Sequence, residues 1–154
     1  MPAPATATAE TTGFTIDRAA HTIRFIRDFA AQPATVFEAW TTPEHMIQWW
    51  DAGGKQLIRC EIDLRIGGSF VFVSPSHAHM PFTGTYQRIE PPHLLEFEAL
   101  GATGRVALDG HDGGTRMTVE IICTSEEHLD EYIRLGVANG TSQTLDNLVT
   151  YLDR

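Results

Sequence analysis

The chain has few cationic side chains and no long apolar run. Lys55 is its only lysine, acidic residues outnumber basic ones 20 to 11, and the formal net charge is −9. Such a surface repels phosphate backbones and anionic lipid headgroups, because nucleic-acid binding draws most of its affinity from cationic contacts. No stretch approaches the roughly 18 apolar residues that a membrane-spanning helix needs. We therefore expect neither a nucleic-acid partner nor a membrane partner.

Cysteine is also scarce. Cys60 and Cys123 are isolated thiols in apolar, strand-like sequence, and they form no CxxC pair. Residues 1–12 are rich in Ala, Thr and Pro, but they lack the basic start and continuous apolar stretch of a secretory leader. We therefore expect a cytoplasmic protein in which both thiols stay reduced and serve only packing.

Catalytic and metal-binding signatures are missing as well. His77 and His79 stand two apart, so both rings would share a face of an extended chain, but no third ligand follows at a recognisable spacing. The chain contains no Gly-x-Ser-x-Gly motif and no phosphate-binding loop. We predict no metal and no cofactor, so any function has to be argued from a pocket.

The residues that are present predict one domain built on an antiparallel sheet. A length of 154 residues suits a tail at residues 1–15 followed by a single domain at residues 16–154. Ile23 and Phe25 alternate with polar residues, which predicts a half-buried first strand over residues 22–29. Pro33 and Pro43 open two short helices that end near residues 40 and 50.

From residue 56 to residue 123 the sequence predicts strands separated by turns. Two turns are expected at residues 101–104 and 109–114, both rich in glycine. Asp63 and Arg65, two apart, are expected to form an ion pair or hydrogen bonds that brace a bend at Gly67 and Gly68, in preference to a catalytic role. Short connections between these strands imply antiparallel order.

A long amphipathic helix is predicted to close the chain. Before it, Ser125 followed by two glutamates predicts the start of a shorter helix. After Gly136, apolar positions recur at helical spacing as far as Leu152 and include Leu145. A stripe of this kind, following an antiparallel sheet, has to be buried on that sheet.

With these motifs the chain resembles the Hsp90-ATPase-activator-homologue (AHSA1-like) family of the Bet v 1/START-like (SRPBCC) superfamily, over residues 23–152. The matching residues fall in two helix-forming segments and a set of strand and turn motifs, namely residues 31–40, 42–44 and 49, then Asp63, Arg65, Gly67, Gly68, Gly84, Tyr86, Pro91, Pro92, Gly114, Leu145, Leu148 and Leu152.

The resemblance implies an α+β helix-grip fold. Its parts are a curved antiparallel sheet of about six to seven strands, two short helices after strand one, and a long C-terminal helix packed across the sheet. The chain departs from the family pattern at Arg88, where an acid is usual, and at Thr141, where a tryptophan is common after the preceding glycine.

We interpret the aromatic residues as the wall of a cavity between the sheet and the C-terminal helix, which would bind a small hydrophobic or aromatic molecule. Tyr86 and Arg88 share the face of Gly84 by strand parity, so they are candidate polar anchors. The predicted lining residues are Trp40, Trp49, Trp50, Phe70, Phe72, Phe82, Tyr86, Arg88, Phe97 and Leu145.

Two other functions stay open at this point. The first is an enzyme, like the cyclases and hydrolases of the superfamily, and it needs an ionisable group with a shifted pKa inside the cavity. The second is an Hsp90-related or stress-response interaction module. A homodimer, formed through a strand edge or through the terminal helix, is open in each case.

Overall fold

The computed structural model describes residues 13–153, without the side chain of Ser76. Most of the expected tail, residues 1–12, lies outside the described residues. Phe14 is only 8% exposed within the core, and Thr15 begins the first strand. The strands are β1 (Thr15–Asp17), β2 (Thr22–Phe29), β3 (Arg59–Ile62), β4 (Ser69–Val73), β5 (Phe82–Glu90), β6 (Leu94–Ala99), β7 (Ala102–His111) and β8 (Gly114–Ile122).

Four α-helices accompany these strands in the described part of the chain. They are α1 (Pro33–Thr41), α2 (Pro43–Trp49), α3 (Glu126–Arg134) and α4 (Val137–Leu152), and a short 3-10 helix covers Pro75–His77. None of these helices is long and apolar enough to cross a membrane. Pro33 and Pro43 occupy the first helical turns, as predicted, because the missing N–H of proline is not needed there.

The strands within residues 13–153 all pair antiparallel in one curved sheet of eight, in the order β1, β2, β8, β7, β6, β5, β4, β3. The predicted count of six to seven strands was therefore too low, although the α+β class is confirmed and the arrangement is consistent with a helix-grip fold. The added edge strand β1 has three residues, which is too short for a period-2 pattern to be recognised.

The sheet has an inner face, which the helices cover, and an outer face. On β8, Met117 and Val119 point inward and are buried, whereas Arg116 and Glu120 point outward. The Trp40 indole N–H of α1 lies 3.4 Å from the Met117 sulfur, and the Arg27 Nε of β2 lies 2.9 Å from Asp146 Oδ1 of α4. Helices α1 and α4 therefore pack on the inner face.

Helix α4 follows the predicted stripe. Its start is set by Gly136, whose φ of 81° is accessible to glycine at little cost. The helix then runs without interruption through Asn139 and Gly140. Leu145 and Leu148 are completely buried, so this half of α4 is part of the solid core. Helix α3 is capped as expected, because the Ser125 hydroxyl accepts a hydrogen bond of 3.1 Å from the His128 amide.

The bend at Gly67 and Gly68 is held by backbone hydrogen bonds. The Gly68 amide donates to the Arg65 carbonyl over 2.8 Å, and a Cβ at Gly68 would meet the Asp63 carbonyl oxygen at 2.1 Å. The predicted ion pair between Arg65 and Asp63 is present at 2.9 Å, but both side chains are exposed, so it adds little. The remaining motif residues, Pro91 and Pro92, share a cis peptide bond in the turn between β5 and β6.

Candidate functional site

A cleft lies between the inner face of the sheet and helices α3 and α4. Its empty volume is about 600 Å³ with the open mouth included. Aromatic, aliphatic and small side chains predominate in the wall, and the residues that border the cleft are Trp40, Trp50, Phe82, Phe97, Ala99, Leu100, Ala102, Gly104, Val119, Glu120, Ile121, Tyr132, Val137 and Thr141.

The position of the cleft follows from the sizes of the side chains on the β6–β7 hairpin. At the open end the inward-facing pair Ala99 and Ala102 is small, and Gly104 lies opposite Phe97. Farther along the same face, large residues such as Leu95 and Val106 form the next inward pair. The sheet therefore leaves space at one end and fills it at the other.

Helix α4 shows the same gradient. Its first turns present Val137 and Thr141 to the cleft, whereas Leu145 and Leu148 fill the core beyond it. A hollow forms where small residues on the sheet face small residues on the helix, because packed interiors otherwise leave few voids. Gly104 has a second role, since a Cβ there would come within 2.5 Å of the Phe97 ring.

A narrow cavity adjoins the cleft and offers only about 10 Å³ to the centre of a water molecule, which is room for about one water. Three residues, Trp40, Trp50 and Phe97, border both spaces and therefore form the partition between them. The other residues of the narrow cavity are Met46, Phe70, Phe72, Tyr86 and Leu95.

The aromatic rings around the partition pack against one another in edge-to-face and tilted arrangements. Trp40 and Trp50 have ring centroids 6.1 Å apart at an interplanar angle of 73°, and the Trp50 and Phe82 rings lie 5.4 Å apart. Trp49 lies behind them, 4.9 Å from the Trp40 ring. Such arrangements suit the ring quadrupoles and hold the wall in a defined shape.

Two polar groups on the wall have no hydrogen-bond partner among residues 13–153. The indole N–H of Trp40 donates to the Met117 sulfur and that of Trp49 donates to the Ala39 carbonyl. The indole N–H of Trp50 makes no such bond, and neither does the Thr141 hydroxyl, although both residues line the cleft. A donor and a hydroxyl are thus available at the wall.

The ionisable side chains that border the two spaces are tyrosines, and both are neutral near pH 7. Burial raises the pKa of Tyr132 to about 12, with smaller contributions from Cys123 and Glu98. Burial likewise raises the pKa of Tyr86. The Tyr132 hydroxyl donates to the Leu100 carbonyl, so its proton is already engaged.

Glu120 borders the cleft only through its backbone. Strand alternation turns its side chain to the outer face, where the carboxylate lies 2.9 Å from Arg24 Nε and 3.4 Å from Arg105 Nη1. No acidic or basic side chain of the described residues therefore projects into the cleft. Residues 13–153 also contain no cluster of three or more potential metal ligands.

The sequence-predicted lining residues fall into three groups. Trp40, Trp50, Phe82 and Phe97 lie at the cleft, and Phe70, Phe72 and Tyr86 lie at the narrow cavity. Trp49, 1% exposed, and Leu145 are in the core behind the wall. Gly84 faces the Phe70 ring, which a Cβ would meet at 2.4 Å.

Arg88 is a correction to the predicted set. A β-bulge between Tyr86 and Arg88 interrupts the alternation of β5, so the two side chains no longer share a face. Arg88 projects from the outer face and is exposed, with Nη2 2.7 Å from Glu90 Oε2. It does not contribute a cation to the cleft.

Sequence reasoning missed the residues that create the space. Ala99, Ala102 and Gly104 carry almost no side chain, so a search for aromatic walls passes over them. Gly104 was assigned to a turn at residues 101–104, but the turn consists of Leu100 and Gly101, both with positive φ. The sequence signal that could have indicated this space was Thr141, which occupies a position where the family commonly has a tryptophan.

Comparisons with known proteins agree with this architecture. The sequence model of the family described as "Activator of Hsp90 ATPase homolog 1-like protein" matches residues 30–153. No curated protein matches the chain. A protein from Mycobacterium smegmatis of known crystal structure is 20% identical, with 90% of this chain and 95% of that chain covered and a TM-score of 0.76.

Two further solved structures are similar. A protein from Rhodobacter sphaeroides is 25% identical, with 85% of this chain and 90% of that chain covered and a TM-score of 0.73. The AHSA1-like protein from Aeromonas hydrophila is 23% identical, with 84% and 90% covered and a TM-score of 0.70. At these identities the likeness concerns the fold.

Proposed function

Because the chain belongs to the Activator of Hsp90 ATPase homolog 1-like family, we propose that it binds one small, uncharged, largely apolar molecule in the cleft between the sheet and helix α4. The observation that supports this proposal is the apolar cleft, formed where small side chains of β6, β7 and α4 face one another. Concave sites lined mainly by apolar and aromatic side chains are typical of small-molecule binding.

The apolar wall supplies most of the binding free energy. Burying about 200 Å² of apolar ligand surface contributes roughly 5 kcal/mol at about 25 cal/mol per Å², before the cost of association is subtracted. Each hydrogen bond made by Trp50 or Thr141 adds about 1 kcal/mol. We therefore expect a dissociation constant in the micromolar range or weaker for a ligand that only fills the cleft.

The same wall selects against charge. An ionised ligand would lose its hydration without gaining a counter-ion, because the nearest ionic side chains, such as Glu120, point to the outer face. A neutral ring system with one hydrogen-bond acceptor, aimed at the Trp50 N–H or the Thr141 hydroxyl, fits these groups best. The ligand class we propose is therefore a neutral aromatic or polycyclic molecule.

Neither alternative function is better supported. An enzyme of the cyclase or hydrolase type needs an acid or base that titrates near its working pH. The ionisable side chains that border the cleft and the narrow cavity are Tyr132 and Tyr86, and both have raised pKa values. An interaction module would need a surface patch that could bind a chaperone. No such patch stands out among the described residues.

Two fluorescent probes test the proposal. N-phenyl-naphthylamine is neutral, and anilinonaphthalene sulfonate carries the same rings with an added anion. We expect saturable binding of one neutral probe per chain, at least about tenfold tighter than the sulfonate, since burying an unpaired charge costs more than about 1.4 kcal/mol. Native mass spectrometry of gently purified protein should also show a co-purifying neutral mass.

Two results would count against the proposal. The first is the absence of both a co-purified mass and saturable binding of the neutral probe. The second is tighter binding of the sulfonate, which would require a cation at the site.

A further inference from the structure

The edge strand β3 carries a charge pattern that is complementary to itself. It is the last strand in the sheet order, and among the described strands only β4 pairs with it. Its central residues are Arg59, Cys60 and Glu61, so a cation and an anion flank one small residue. Uncovered edge strands pair with other chains unless charge or shape prevents it.

The backbone of β3 directs alternate residues toward the free edge. The Asp63 amide donates to the Ser69 carbonyl over 2.9 Å, which continues the register that pairs Ile62 with Phe70. In an antiparallel ladder, residues two apart direct their backbone groups to the same side. Asp63 and Glu61 therefore face β4, and the N–H and C=O groups of Cys60 and Ile62 face outward.

We propose that two copies of this chain associate through β3, paired antiparallel about a two-fold axis at Cys60. In this register Arg59 lies opposite Glu61 of the second copy, and Glu61 lies opposite its Arg59. Cys60 lies opposite Cys60 of the second copy and exchanges two backbone hydrogen bonds with it. The two sheets become one continuous sheet across an isologous interface.

The charge pattern selects this register over its neighbours. A shift of two residues in one direction places Glu61 opposite Glu61, and in the other direction Arg59 opposite Arg59. Like charges directly opposite each other destabilise strand pairing. A shift of one residue leaves Arg59 opposite Ile62 and puts the helix layers of the two copies on opposite faces of the joined sheet.

The free edge available to a second copy begins at Arg59. The Ile58 amide donates to the Val73 carbonyl over 2.8 Å, so it is engaged within its own sheet. Within one chain Arg59 and Glu61 already pair, but their side chains are 56% and 57% exposed. An exposed pair is worth little, so exchanging it for an intermolecular pair has a small cost. The dimer gains backbone hydrogen bonds and two ion pairs.

Charge reversal tests the register. Sedimentation velocity or light scattering of the full chain should detect a concentration-dependent dimer. In Arg59→Glu, two attractive pairs become two repulsive ones, so we expect the dimer dissociation constant to rise roughly tenfold or more. The double variant Arg59→Glu with Glu61→Arg should restore the wild-type constant, because it exchanges the charges.

A matched control distinguishes an effect of the strand register from a general effect of the altered net charge. Arg134→Glu breaks a similarly exposed ion pair with Glu131 on helix α3 and should leave the dimer unchanged. Circular dichroism should show the same folded state in all four proteins. A monomer at every concentration would overturn the proposal, and so would a dimer that ignores Arg59→Glu or is not restored by the double variant.

Cross-linking at the axis provides an independent measurement. Facing residues of a hydrogen-bonded pair have Cα atoms about 5.5 Å apart, which is within disulfide range. In the Cys123→Ala background, copper phenanthroline should oxidise two Cys60 thiols to one disulfide, each thiol losing one proton and one electron to the oxidant. The covalent dimer should vanish in Cys60→Ser. Absence of a Cys60-dependent covalent dimer would contradict the register.

Discussion

The Tyr132 hydroxyl donates a hydrogen bond of 2.8 Å to the carbonyl oxygen of Leu100. This bond joins helix α3 to the β6–β7 turn at the mouth of the cleft. Leu100 has a φ of 54° and Gly101 a φ of 81°, which is the geometry of a two-residue turn that favours asparagine or aspartate first. Leu100 is also 61% exposed. If the cleft binds a ligand as proposed, this exposed leucine at its mouth would contact that ligand.

The substitution Leu100→Asn should change stability and probe binding in opposite directions. We expect the free energy of unfolding in urea to rise by about 1 kcal/mol, because asparagine tolerates positive φ better than leucine. Binding of N-phenyl-naphthylamine should weaken, since the substitution removes an apolar side chain from the mouth of the cleft.

The β7–β8 turn provides the matched control. Asp112 and Gly113 adopt φ angles of 51° and 81°, so Asp112→Leu installs leucine in the same geometry but away from the cleft. It should lower stability by a similar amount and leave probe binding unchanged. A loss of probe binding in this control, or unchanged binding in Leu100→Asn, would contradict the role given to Leu100.

A row of alternating charges crosses five strands on the outer face. Each member lies directly opposite the next in the strand register, and Glu96 occupies the most buried position, 8% exposed. Its carboxylate lies 2.6 Å from Arg105 Nε and 3.7 Å from Arg88 Nη1. The row consists of Arg88, Glu96, Arg105, Glu120 and Arg24.

Glu96→Gln should destabilise the fold by about 1–2 kcal/mol, because it weakens charge-assisted hydrogen bonds and removes one of the two anions beside each of Arg88 and Arg105. Glu90→Gln, which removes an exposed partner of Arg88, should cost less than about 0.5 kcal/mol. Urea unfolding of the two variants measures the difference. Equal effects would show that the row adds nothing beyond ordinary surface pairs.

Stability should decline in alkaline solution. Burial raises the pKa of Cys60 from 9.0 to about 11 and that of Tyr132 from 10.0 to about 12. The folded state therefore holds protons that the unfolded chain releases, so the contribution of these two groups to the free energy of unfolding is fully present below about pH 9 and is lost as the pH rises through their folded-state pKa values. Urea unfolding across this range, with tyrosinate absorbance, measures the slope. Tyr132→Phe should reduce the slope, and a slope of opposite sign would contradict the burial of these groups.

The regular elements were predictable because their signals are local. Strand β2 shows its alternation within eight residues. Pro33 and Pro43 mark helix starts by their restricted backbone, and Ser125 marks one by its side-chain hydroxyl. The stripe on α4 extends over the whole helix. Features that depend on two segments were less visible, such as β1, whose three residues become a strand only by pairing with β2.

The site was harder to predict because side-chain direction and empty space leave weak signals. One bulge after Tyr86 was enough to move Arg88 to the other face. Gly104 resembled a turn residue but lies within β7, where the ring of Phe97 occupies the place of a Cβ. Trp49 and Trp50 are adjacent, yet only Trp50 reaches the cleft. The residue types alone could not show which of these side chains reach the cleft.

A substitution that fills the cleft beside helix α4 shows whether this cleft is a binding site. Thr141→Trp places a large ring in the cleft, whereas Thr150→Trp adds the same ring to an exposed position of the same helix. Titration with N-phenyl-naphthylamine should show at least about tenfold weaker binding for Thr141→Trp and wild-type binding for Thr150→Trp. Wild-type affinity in a correctly folded Thr141→Trp protein would contradict the account.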